Sequence, residues 1–445
     1  MVQILSKILK ACGLITRMIE LWAFALISLI YLVLVSMIFA VSGWSLYNLP
    51  ILVAGVRNLR ACRLKVKDID SGRKSLPIFS LVVPVRDEEK VVGRLIGSLS
   101  KLDYPADKIE IIFVEDASID KTFCICVEEA KKLGVKVRIF HREFCDGKPS
   151  ALNYGIAHAK GDIVGVFDAD SVVARDVLLN VCKYFKDPKG AAVQGRTLSI
   201  NSDENMLTKL ISYEEAVWFE AYLRGKDALD LFVNLKGNCQ FIRRNVLEKV
   251  EGFDTSFLAE DMELSARLTE KGYQIRYAPD VRSWQENPST LKQLFTQRIR
   301  WYRGWMEVAF KYGRLMVKPS KMGVDAEATL LGPFMLIFSL VTYLATILAF
   351  LVPTNLDVFL QLAMRFTAIG TTLLVVACGM ALIYISKPRN LKNLLWLPFI
   401  YSYWSLQAFV ALYAAFQILL HRPRKWLKTE KKGVIANPEF SCTTQ

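Results

Sequence analysis

Histidine is scarce in this sequence, and cysteine is never spaced as in a zinc site. The 445 residues include 3 histidines and 9 cysteines, and no two cysteines form a C-x-x-C motif. His141, His158 and His421 are therefore expected at the surface or at strand ends, not as ligands. Cys124 and Cys126, the closest cysteines, are expected to be small apolar residues in a reducing cytosol. Imidazole and thiolate chemistry are both disfavoured.

Motifs for nucleic-acid binding are also missing, although the formal net charge is +14. The chain has no arginine-rich helix, RNP-like segment, internal repeat or low-complexity segment. Its basic residues crowd beside long apolar segments. Membrane lipids with anionic headgroups are thus the expected partners of this charge, a phosphate-bearing substrate comes second, and no nucleic acid is expected.

Four long segments carry no charged residue. They are residues 21–56, 328–356, 366–386 and 393–420, and each exceeds the roughly 20 residues that a helix needs to cross a bilayer. The first segment is too long for a cleavable signal peptide and lacks a small-residue cleavage site. We therefore expect a soluble domain held between membrane-spanning segments.

The basic residues predict an orientation. Arginine and lysine are concentrated between residues 57 and 74 and again between 387 and 392. The positive-inside rule then places the soluble domain in the cytosol and predicts a multi-pass protein of the cell membrane. Four full crossings would leave the basic tail outside, so either 21–56 or 393–420, which contains Pro398, is not one simple crossing.

Strand and helix signals alternate between residues 78 and 195. Strands are predicted at 78–85, 109–116, 135–141, 163–167 and 190–196. This alternation is typical of an α/β fold with a Rossmann-like, mostly parallel sheet. A helix is predicted directly after the first strand, with Asp87, Glu88 and Glu89 in its first turn.

Three more helices are predicted further along the chain. They cover residues 207–223, 258–272 and 291–312, and a short strand is predicted at 241–243. The last helix is amphipathic, aromatic and basic, and it runs almost directly into the next apolar segment. Such helices usually lie in the headgroup plane, so we expect amphipathic interface helices between the soluble domain and an α-helical transmembrane region.

Carboxylates follow the predicted strands at their carboxyl ends. Asp168 and Asp170 end the fourth strand, and Glu115 and Asp116 end the second. An open α/β sheet binds its ligand at this edge. Asp168 and Asp170 are two positions apart and so point the same way, which suits a hard cation, Mg²⁺ or Mn²⁺, and the diphosphate that it neutralises. Lys148, at a predicted helix start, would lie near that diphosphate.

A second acidic pair and a basic, aromatic motif follow. Glu260 and Asp261 begin a predicted helix, and Asp261 is the expected general base. Arg298 and Arg300 would serve a diphosphate leaving group. The alternatives are a favourable charge at a helix N-terminus for Asp261, a solvated helix start for Lys148 and a membrane anchor for residues 297–301.

The motifs VPVRDEE, FVEDAS, GKPSALN, FDAD, LAED and QRIRW follow one another in this order. In this order they resemble family 2 glycosyltransferases of the cellulose synthase, chitin synthase and hyaluronan synthase type. The resemblance covers residues 81 to about 305 and extends loosely to the flanking spans and to WLKTEK near the C-terminus. It implies a GT-A fold and a metal-assisted, inverting transfer of a sugar from a nucleotide-diphosphate sugar donor.

The resemblance also implies roles for individual residues. Asp261, with Glu260, would be catalytic, and Asp168 and Asp170 would hold the metal. The implied nucleotide-sugar site consists of Pro84, Arg86, Glu88, Glu115, Asp116, Lys148, Asp168, Gln297, Arg298, Arg300 and Trp301.

The sequence departs from the family pattern at Glu115, where an aspartate is usual, and at Ala259, which precedes the Glu-Asp pair. The first departure leaves uracil and guanine open as the base. The few apolar segments favour transfer of one hexose, from GDP-mannose or a UDP-sugar, to a lipid-linked glycan or glycolipid acceptor. Some small archaeal mannosyltransferases look similar. The alternatives are a processive polysaccharide synthase and, outside enzymes, a membrane scaffold or transporter.

The expected division of the chain follows from these patterns. It comprises an amphipathic N-terminal segment (1–20), a membrane segment (21–56), a basic linker (57–76), a GT-A domain (77–286), interface helices (287–326), about three transmembrane helices (327–420) and a basic tail (421–445).

Overall fold

The computed structural model describes residues 2–59, 76–187, 189–313, 320–351, 358–385, 391–424 and 428–433. Most of the predicted basic linker 57–76, residues 386–390 and the chain after 433 lie outside the described residues. The strands are β1 (Phe79–Val85), β2 (Ile109–Asp116), β3 (Val137–Arg142), β4 (Ile163–Val166), β5 (Val172–Val173), β6 (Gly190–Ser199), β7 (Gln240–Arg243) and β8 (Gln274–Gln285).

Helices surround this sheet and continue beyond it. The first nine are α1 (Val2–Arg57), α2 (Val92–Leu99), α3 (Thr122–Lys132), α4 (Lys148–Ala157), α5 (Val177–Cys182), α6 (Met206–Val217), α7 (Arg224–Ala228), α8 (Arg244–Lys249) and α9 (Glu260–Glu270). A π-helical turn, Trp218–Leu223, joins α6 to α7. The remaining helices are α10 (Leu291–Tyr312), α11 (Lys321–Leu330), α12 (Gly332–Leu351), α13 (Val358–Ile385) and α14 (Leu397–Leu419).

The eight strands form one mixed sheet in the order β3-β2-β1-β4-β7-β6-β8-β5. The first four are parallel, as the alternation of strands and helices predicts, and their carboxyl ends share one edge. The predicted fifth strand, β6, does not extend this parallel set directly, because antiparallel β7 lies between β4 and β6. β8 was not predicted, since its charged residues and Pro279 obscure the strand pattern.

Side chains alternate across β1 and build a core on each face of the sheet. Leu81 and Val83 pack with α2, α3 and α5 on one face, whereas Val82 packs with α4, α8 and α9 on the other. All three are 0% exposed. The sheet is therefore covered on both faces, which leaves its edge of strand ends open for a ligand.

The segment after β1 is a correction to the predicted helix. Residues 87–89 form a turn, and α2 begins only at Val92. The backbone N–H groups of Asp87 and Glu88 donate to Ser118 Oγ and Thr122 Oγ1, at 3.0 and 2.7 Å. Because these donors are satisfied by the neighbouring loop, the acidic residues stay at the sheet edge instead of entering the helix.

The long helix α1 runs without a break through the predicted boundary between residues 20 and 21. It packs against the π-helical turn and α7 at two glycines. A Cβ atom at Gly55 would lie 1.8 Å from the carbonyl oxygen of Ala221, and one at Gly225 would lie 1.9 Å from that of Ile51. These close backbone approaches fix the apolar helix to the soluble domain.

Three helical stretches of the described chain are long and apolar enough to cross a membrane: Arg17–Arg57, Val358–Leu382 and Leu391–Leu419. A fourth is possible if Lys321–Leu330 and Gly332–Leu348, which meet at a 52° bend, are counted as one span. The tail residue Lys431 contacts Asp170 of the soluble domain, so the two would lie on one side of any membrane that these helices cross.

An even number of crossings must therefore separate α10 from the tail. Of α12, α13 and α14, the helix that packs along α10 is α14, where Tyr403 contacts Arg298 and Gln407 accepts a hydrogen bond from Tyr302. Of the two alternatives left by the sequence, this packing favours the second, in which residues 393–420 are not a simple crossing.

Candidate active site

A cavity of about 520 Å³ connects the open edge of the sheet with the apolar helices. At the sheet edge it is lined by Pro84, Arg86, Glu88, Asp116, Lys148, Asp168 and Asp170. Towards the apolar helices it is lined by Trp44 and Leu52 of α1, Leu336 of α12, Leu374 of α13 and Trp404 of α14. Glu260, Asp261, Gln297, Arg300 and Trp301 line the same cavity, so nearly all the predicted site residues share it.

Lys148 is the central cation of the predicted diphosphate site. Its Nζ lies 2.7 Å from Asp168 Oδ1 and 3.4 Å from Glu260 Oε1, and it donates to the carbonyl oxygen of Gly237 at 3.1 Å. Burial opposes the charge, but Asp168 and Glu260 outweigh it and raise the pKa of Lys148. Lys148 is thus a buried, charged side chain that lines the cavity, and it is not a solvated residue at a helix start.

Asp170 is paired with the C-terminal tail. Lys431 Nζ lies 2.7 Å from Asp170 Oδ2, and Lys428 Nζ lies 3.2 Å from Glu88 Oε1. Glu286 holds this part of the tail in place by accepting the backbone N–H of Lys432 at 2.6 Å. Burial opposes ionisation of Asp170, but Lys431 lowers its pKa below the ordinary value. Two tail lysines therefore bring positive charge to the sheet edge.

Asp168 and Asp170 suit a divalent cation chemically. Carboxylate oxygens are the ligands that Mg²⁺ and Mn²⁺ prefer, and in this structure the ammonium groups of Lys148 and Lys431 compensate the two charges. No group of three or more His, Cys, Asp or Glu side chains in the described ranges is arranged to hold a metal ion. Oxygens of a bound diphosphate would have to complete the ligand shell.

Asp261 lies in the first turn of α9, beside a glycine that leaves it room. Its Oδ1 accepts the backbone N–H of Met262 at 2.8 Å. A Cβ atom at Gly237 would lie 3.3 Å from Asp261 Oδ2 and 3.2 Å from Lys148 Nζ, and the φ of +74° there also favours glycine. Burial, followed by the neighbouring Glu260 carboxylate, raises the pKa of Asp261 to about 6.

The two acidic residues that end β2 face opposite ways, because successive strand residues alternate. Asp116 lines the cavity and lies 3.0 Å from Arg142 Nη1. Glu115 does not line it: its carboxylate accepts the backbone N–H of Ser118 at 2.5 Å and contacts His141. The expected nucleotide contact of Glu115 is therefore corrected to a structural role in the β2–α3 loop.

Other predicted nucleotide contacts do reach the cavity. Burial raises the pKa of Glu88 to about 7, with Lys428 acting in the opposite direction. Arg86 donates to Cys145 Sγ at 2.5 Å and lies 3.7 Å from Asp87 Oδ2. These side chains surround the end of the cavity beside Asp116, where a base and ribose would fit.

The arginines of α10 separate into two environments. Arg298 Nη2 lies 2.5 Å from Glu214 Oε2, and Tyr403 and Gln407 of α14 donate to the same carboxylate at 2.9 and 2.8 Å. Arg298 lines the cavity as well, so its diphosphate contact stays a prediction, although α6 and α14 already engage the guanidinium group. Burial lowers the pKa of Arg300, while Glu260 and Asp168 oppose that effect.

Several cavity residues had no role in the sequence prediction. Among them are Glu215 and Trp218, at the junction of α6 with the π-helical turn, Lys236 beside Gly237, and the tail lysines. Burial raises the pKa of Glu215 to about 7. Only the tail had a sequence signal, the loosely matching WLKTEK motif. π-Helical turns often occur at functional sites, but the residue pattern does not reveal them.

A mixed sheet with paired aspartates at a strand end, and a buried lysine and further carboxylates in the same cavity, is typical of sugar-nucleotide transferases of the GT-A class. The sequence model described as glycosyltransferase-like family 2 matches residues 77–304. The chain belongs to this family and is a glycosyltransferase, as the motif resemblance predicted.

Individual relatives agree with this assignment. The probable glycosyltransferase YdaM of Bacillus subtilis is 29% identical over 87% of this chain and 94% of its own length. A beta-monoglucosyldiacylglycerol synthase of Nostoc sp. is 34% identical over 56% of this chain and 53% of its own length. The chain therefore spans about half the length of that synthase.

A solved structure shows the same fold. The mannosyltransferase PcManGT from Pyrobaculum calidifontis, in complex with GDP-Man and Mn²⁺, matches 88% of this chain and 100% of its own with a TM-score of 0.57 and 22% identity.

A poly-beta-1,6-N-acetyl-D-glucosamine synthase of Staphylococcus epidermidis is 28% identical over 58% of this chain and 61% of its own length. The family relatives thus act on glycolipids and on polysaccharides.

Proposed function

We propose that this glycosyltransferase transfers one hexose, with inversion, from a nucleoside diphosphate sugar to the hydroxyl group of a membrane lipid or lipid-linked glycan. The observation that carries the proposal is the cavity, which places Asp168 and Asp261 in one space with Trp44, Leu336 and Trp404 of the apolar helices. A lipid held among those helices would present its headgroup to the carboxylates. The basic residues beside the apolar segments support a cytosolic site.

The proton has a natural acceptor in Asp261. Its pKa of about 6 leaves the carboxylate mostly ionised at neutral pH and still basic enough to take a proton. As the acceptor oxygen bonds to the anomeric carbon, its proton passes to Asp261 and the bond to the diphosphate breaks on the opposite side. The nucleoside diphosphate leaves with the bonding electron pair, and one displacement inverts the anomeric centre.

Cations of the chain would stabilise the charge that develops on the diphosphate. Lys148 and Arg300 lie among Asp168, Glu260 and Asp261, and Lys431 approaches from the tail. Preorganised charge in a buried site costs little reorganisation when the bond breaks. Asp168 and Asp170 would hold Mg²⁺ or Mn²⁺, which supplies Lewis-acid stabilisation of the leaving group when bound.

The lipid acceptor is supported by the nature of the relatives as well as by the cavity. Three cyanobacterial relatives that match at 32–34% identity are named beta-monoglucosyldiacylglycerol synthases. These names describe the relatives, and they make diacylglycerol-type lipids sensible first acceptors to offer. UDP- and GDP-sugars are both candidate donors, because a carboxylate such as that of Asp116 can accept a hydrogen bond from the N–H groups of uracil or of guanine.

The decisive experiment measures donor consumption by the purified protein in lipid nanodiscs. UDP- and GDP-hexoses are offered in parallel with Mg²⁺ or Mn²⁺, with diacylglycerol and glycolipid acceptors present. We expect one donor to be consumed and one hexose to be added per acceptor. A long polymeric product would favour a polysaccharide synthase instead, and the absence of any donor binding or turnover would overturn the proposal.

A further inference from the structure

Lys236 presents its ammonium group to the cavity between three indole rings. Its Nζ lies 4.8 Å from the ring centroid of Trp218, 5.4 Å from that of Trp301 and 5.9 Å from that of Trp305. We call these three tryptophans the indole cage. Within the described part of the chain, Lys236 Nζ has no hydrogen-bond or ion-pair partner, whereas Lys148 and Lys431 each have carboxylate partners.

The backbone around Lys236 is fixed at the reaction centre. Its N–H donates to Gln194 Oε1 at 2.7 Å, and the carbonyl oxygen of the next residue, Gly237, accepts Lys148 Nζ at 3.1 Å. Gln194 is 0% exposed. The side chain therefore starts from a rigid point one residue away from the glycine that adjoins Asp261.

The indole cage lies where the cavity approaches the apolar helices. Trp218 and Trp305 are in ring contact at 6.0 Å, and a Cβ atom at Gly332, the first residue of α12, would lie 4.0 Å from Trp305. Asp168 and Asp170, the carboxylates proposed to bind the sugar donor, pair with Lys148 and Lys431 and not with Lys236. Lys236 thus belongs to the acceptor side of the site.

A buried ammonium group is costly unless an anion or several hydrogen-bond acceptors complete its surroundings. Burial lowers the pKa of Lys236, and the carboxylates of Asp261, Glu214 and Glu215 oppose this from beyond ion-pair distance. Indole faces attract a cation, but they accept no strong hydrogen bond. The Lys236 ammonium group is a hydrogen-bond donor that lines the cavity, so an oxyanion bound there would complete its surroundings.

We propose that Lys236 and the indole cage select an acceptor lipid that carries an anionic oxygen group, such as a phosphodiester, close to the hydroxyl that is glycosylated. This inference rests on the proposed function and names its acceptor class. Lys236 binds the oxyanion of the headgroup within the indole cage, and the neighbouring hydroxyl faces Asp261. Lys236 is accordingly a specificity-determining residue that takes no part in bond making.

The test compares two acceptors within each enzyme variant, because the ratio of their kcat/KM values does not depend on the fraction of folded enzyme. Phosphatidylglycerol offers hydroxyls beside a phosphodiester, and diacylglycerol offers a hydroxyl without one. Each is presented at low mole fraction in vesicles with the same excess of phosphatidylserine, which keeps the surface charge constant. Lys236→Met removes the charge and Lys236→Arg retains it.

We expect the wild type to prefer phosphatidylglycerol, and Lys236→Met to reduce that preference about tenfold or more through a higher KM for phosphatidylglycerol. Lys236→Arg should keep most of the preference. The control is Lys209→Met, because Lys209 also lies over an aromatic ring, Tyr213 at 5.5 Å, but pairs with Asp203 outside the cavity. It should leave the preference unchanged.

Two results would overturn the inference while leaving the proposed function intact. One is a wild-type enzyme that consumes donor but prefers diacylglycerol. The other is a preference for phosphatidylglycerol that Lys236→Met does not alter. If the wild type consumes no donor with either lipid, or with a neutral glycolipid, the proposed function itself has failed.

Discussion

The ammonium group of Lys431 lies 2.7 Å from Oδ2 of Asp170, so the C-terminal tail supplies a charge to the catalytic edge of the sheet. Lys431 also donates to the carbonyl oxygen of Glu286 at 2.7 Å, and this second contact holds it in place independently of Asp170. A tail residue is therefore part of the proposed donor site, beside the carboxylate that would share a cation with the diphosphate.

Replacing this lysine tests that role. If Asp170 binds a divalent cation, the ammonium group of Lys431 is free to pair with the diphosphate of the donor. Lys431→Met should therefore raise the KM for the nucleotide sugar about tenfold or more. The matched control is Lys432→Met, because the neighbouring lysine pairs with Glu204 at the surface and should have little effect. Initial rates at varied donor concentration give the answer, and an unchanged or lower donor KM for Lys431→Met would contradict the assignment.

Asp261→Asn removes the proposed base while preserving shape and burial. The rate of transfer should fall by about 10²–10⁴-fold, since a positioned general base contributes a factor of this size. Donor binding, followed by titration calorimetry, should persist because Lys148 and Asp168 remain. Asp203→Asn, at an exposed aspartate paired with Lys209, serves as the matched control. A variant that binds donor and still transfers at the normal rate would exclude Asp261 as the base.

The pH dependence follows from the raised pKa of the same residue. Asp261 must be deprotonated to accept a proton, and its pKa is about 6, so kcat should be constant at higher pH and fall with decreasing pH through about 6. Glu260 lies beside Asp261 and raises that pKa, so the apparent value belongs to the pair. A rate profile between pH 5 and pH 8 measures it. A rate that stays flat down to pH 5 would be incompatible with this base.

The catalytic edge of the sheet was predictable because its signals are local. The strand predicted at 109–116 and the helix predicted at 291–312 have the observed bounds, since a run of β-branched and aromatic residues identifies the strand and an amphipathic pattern identifies the helix. The carboxylates that follow strands mark the ligand edge. A short strand is predicted at 241–243 and is observed as β7, whereas β8 was not predicted, because its charged residues and Pro279 obscure the strand pattern.

Lys236 and Lys431 are two cavity residues that the sequence pattern could not identify as part of the site. Periodicity cannot tell a lysine that enters a cavity from one on the surface, because the difference lies in tertiary packing. Glu115 shows the opposite error: its place at a strand end suggested a ligand contact, but alternation turns its side chain away from Asp116 and the cavity. Arg298 has the predicted position in its motif and also pairs with Glu214.

A buried ion pair joins the soluble domain to the apolar helices and gives a prediction about stability. Lys226 of α7 and Asp325 of α11 are both 0% exposed, with Nζ 2.8 Å from Oδ2. Asp325 also accepts the hydroxyl of Tyr47 in α1 at 2.7 Å and the N–H of Phe232 at 2.9 Å. One carboxylate therefore satisfies donors from three separate parts of the chain.

Removing either partner leaves a buried charge without its counterpart, which costs about 3–5 kcal/mol. Asp325→Leu should be the more destabilising change, because it takes the acceptor from Tyr47 and Phe232 and leaves the Lys226 ammonium group with the neutral Thr329 hydroxyl, whereas Lys226→Met leaves Asp325 with two donors. The measurement is the apparent melting temperature in detergent. Lys209→Met, which breaks a surface pair, should shift it little. If Lys226→Met proved more damaging than Asp325→Leu, the carboxylate would not be the centre of this junction.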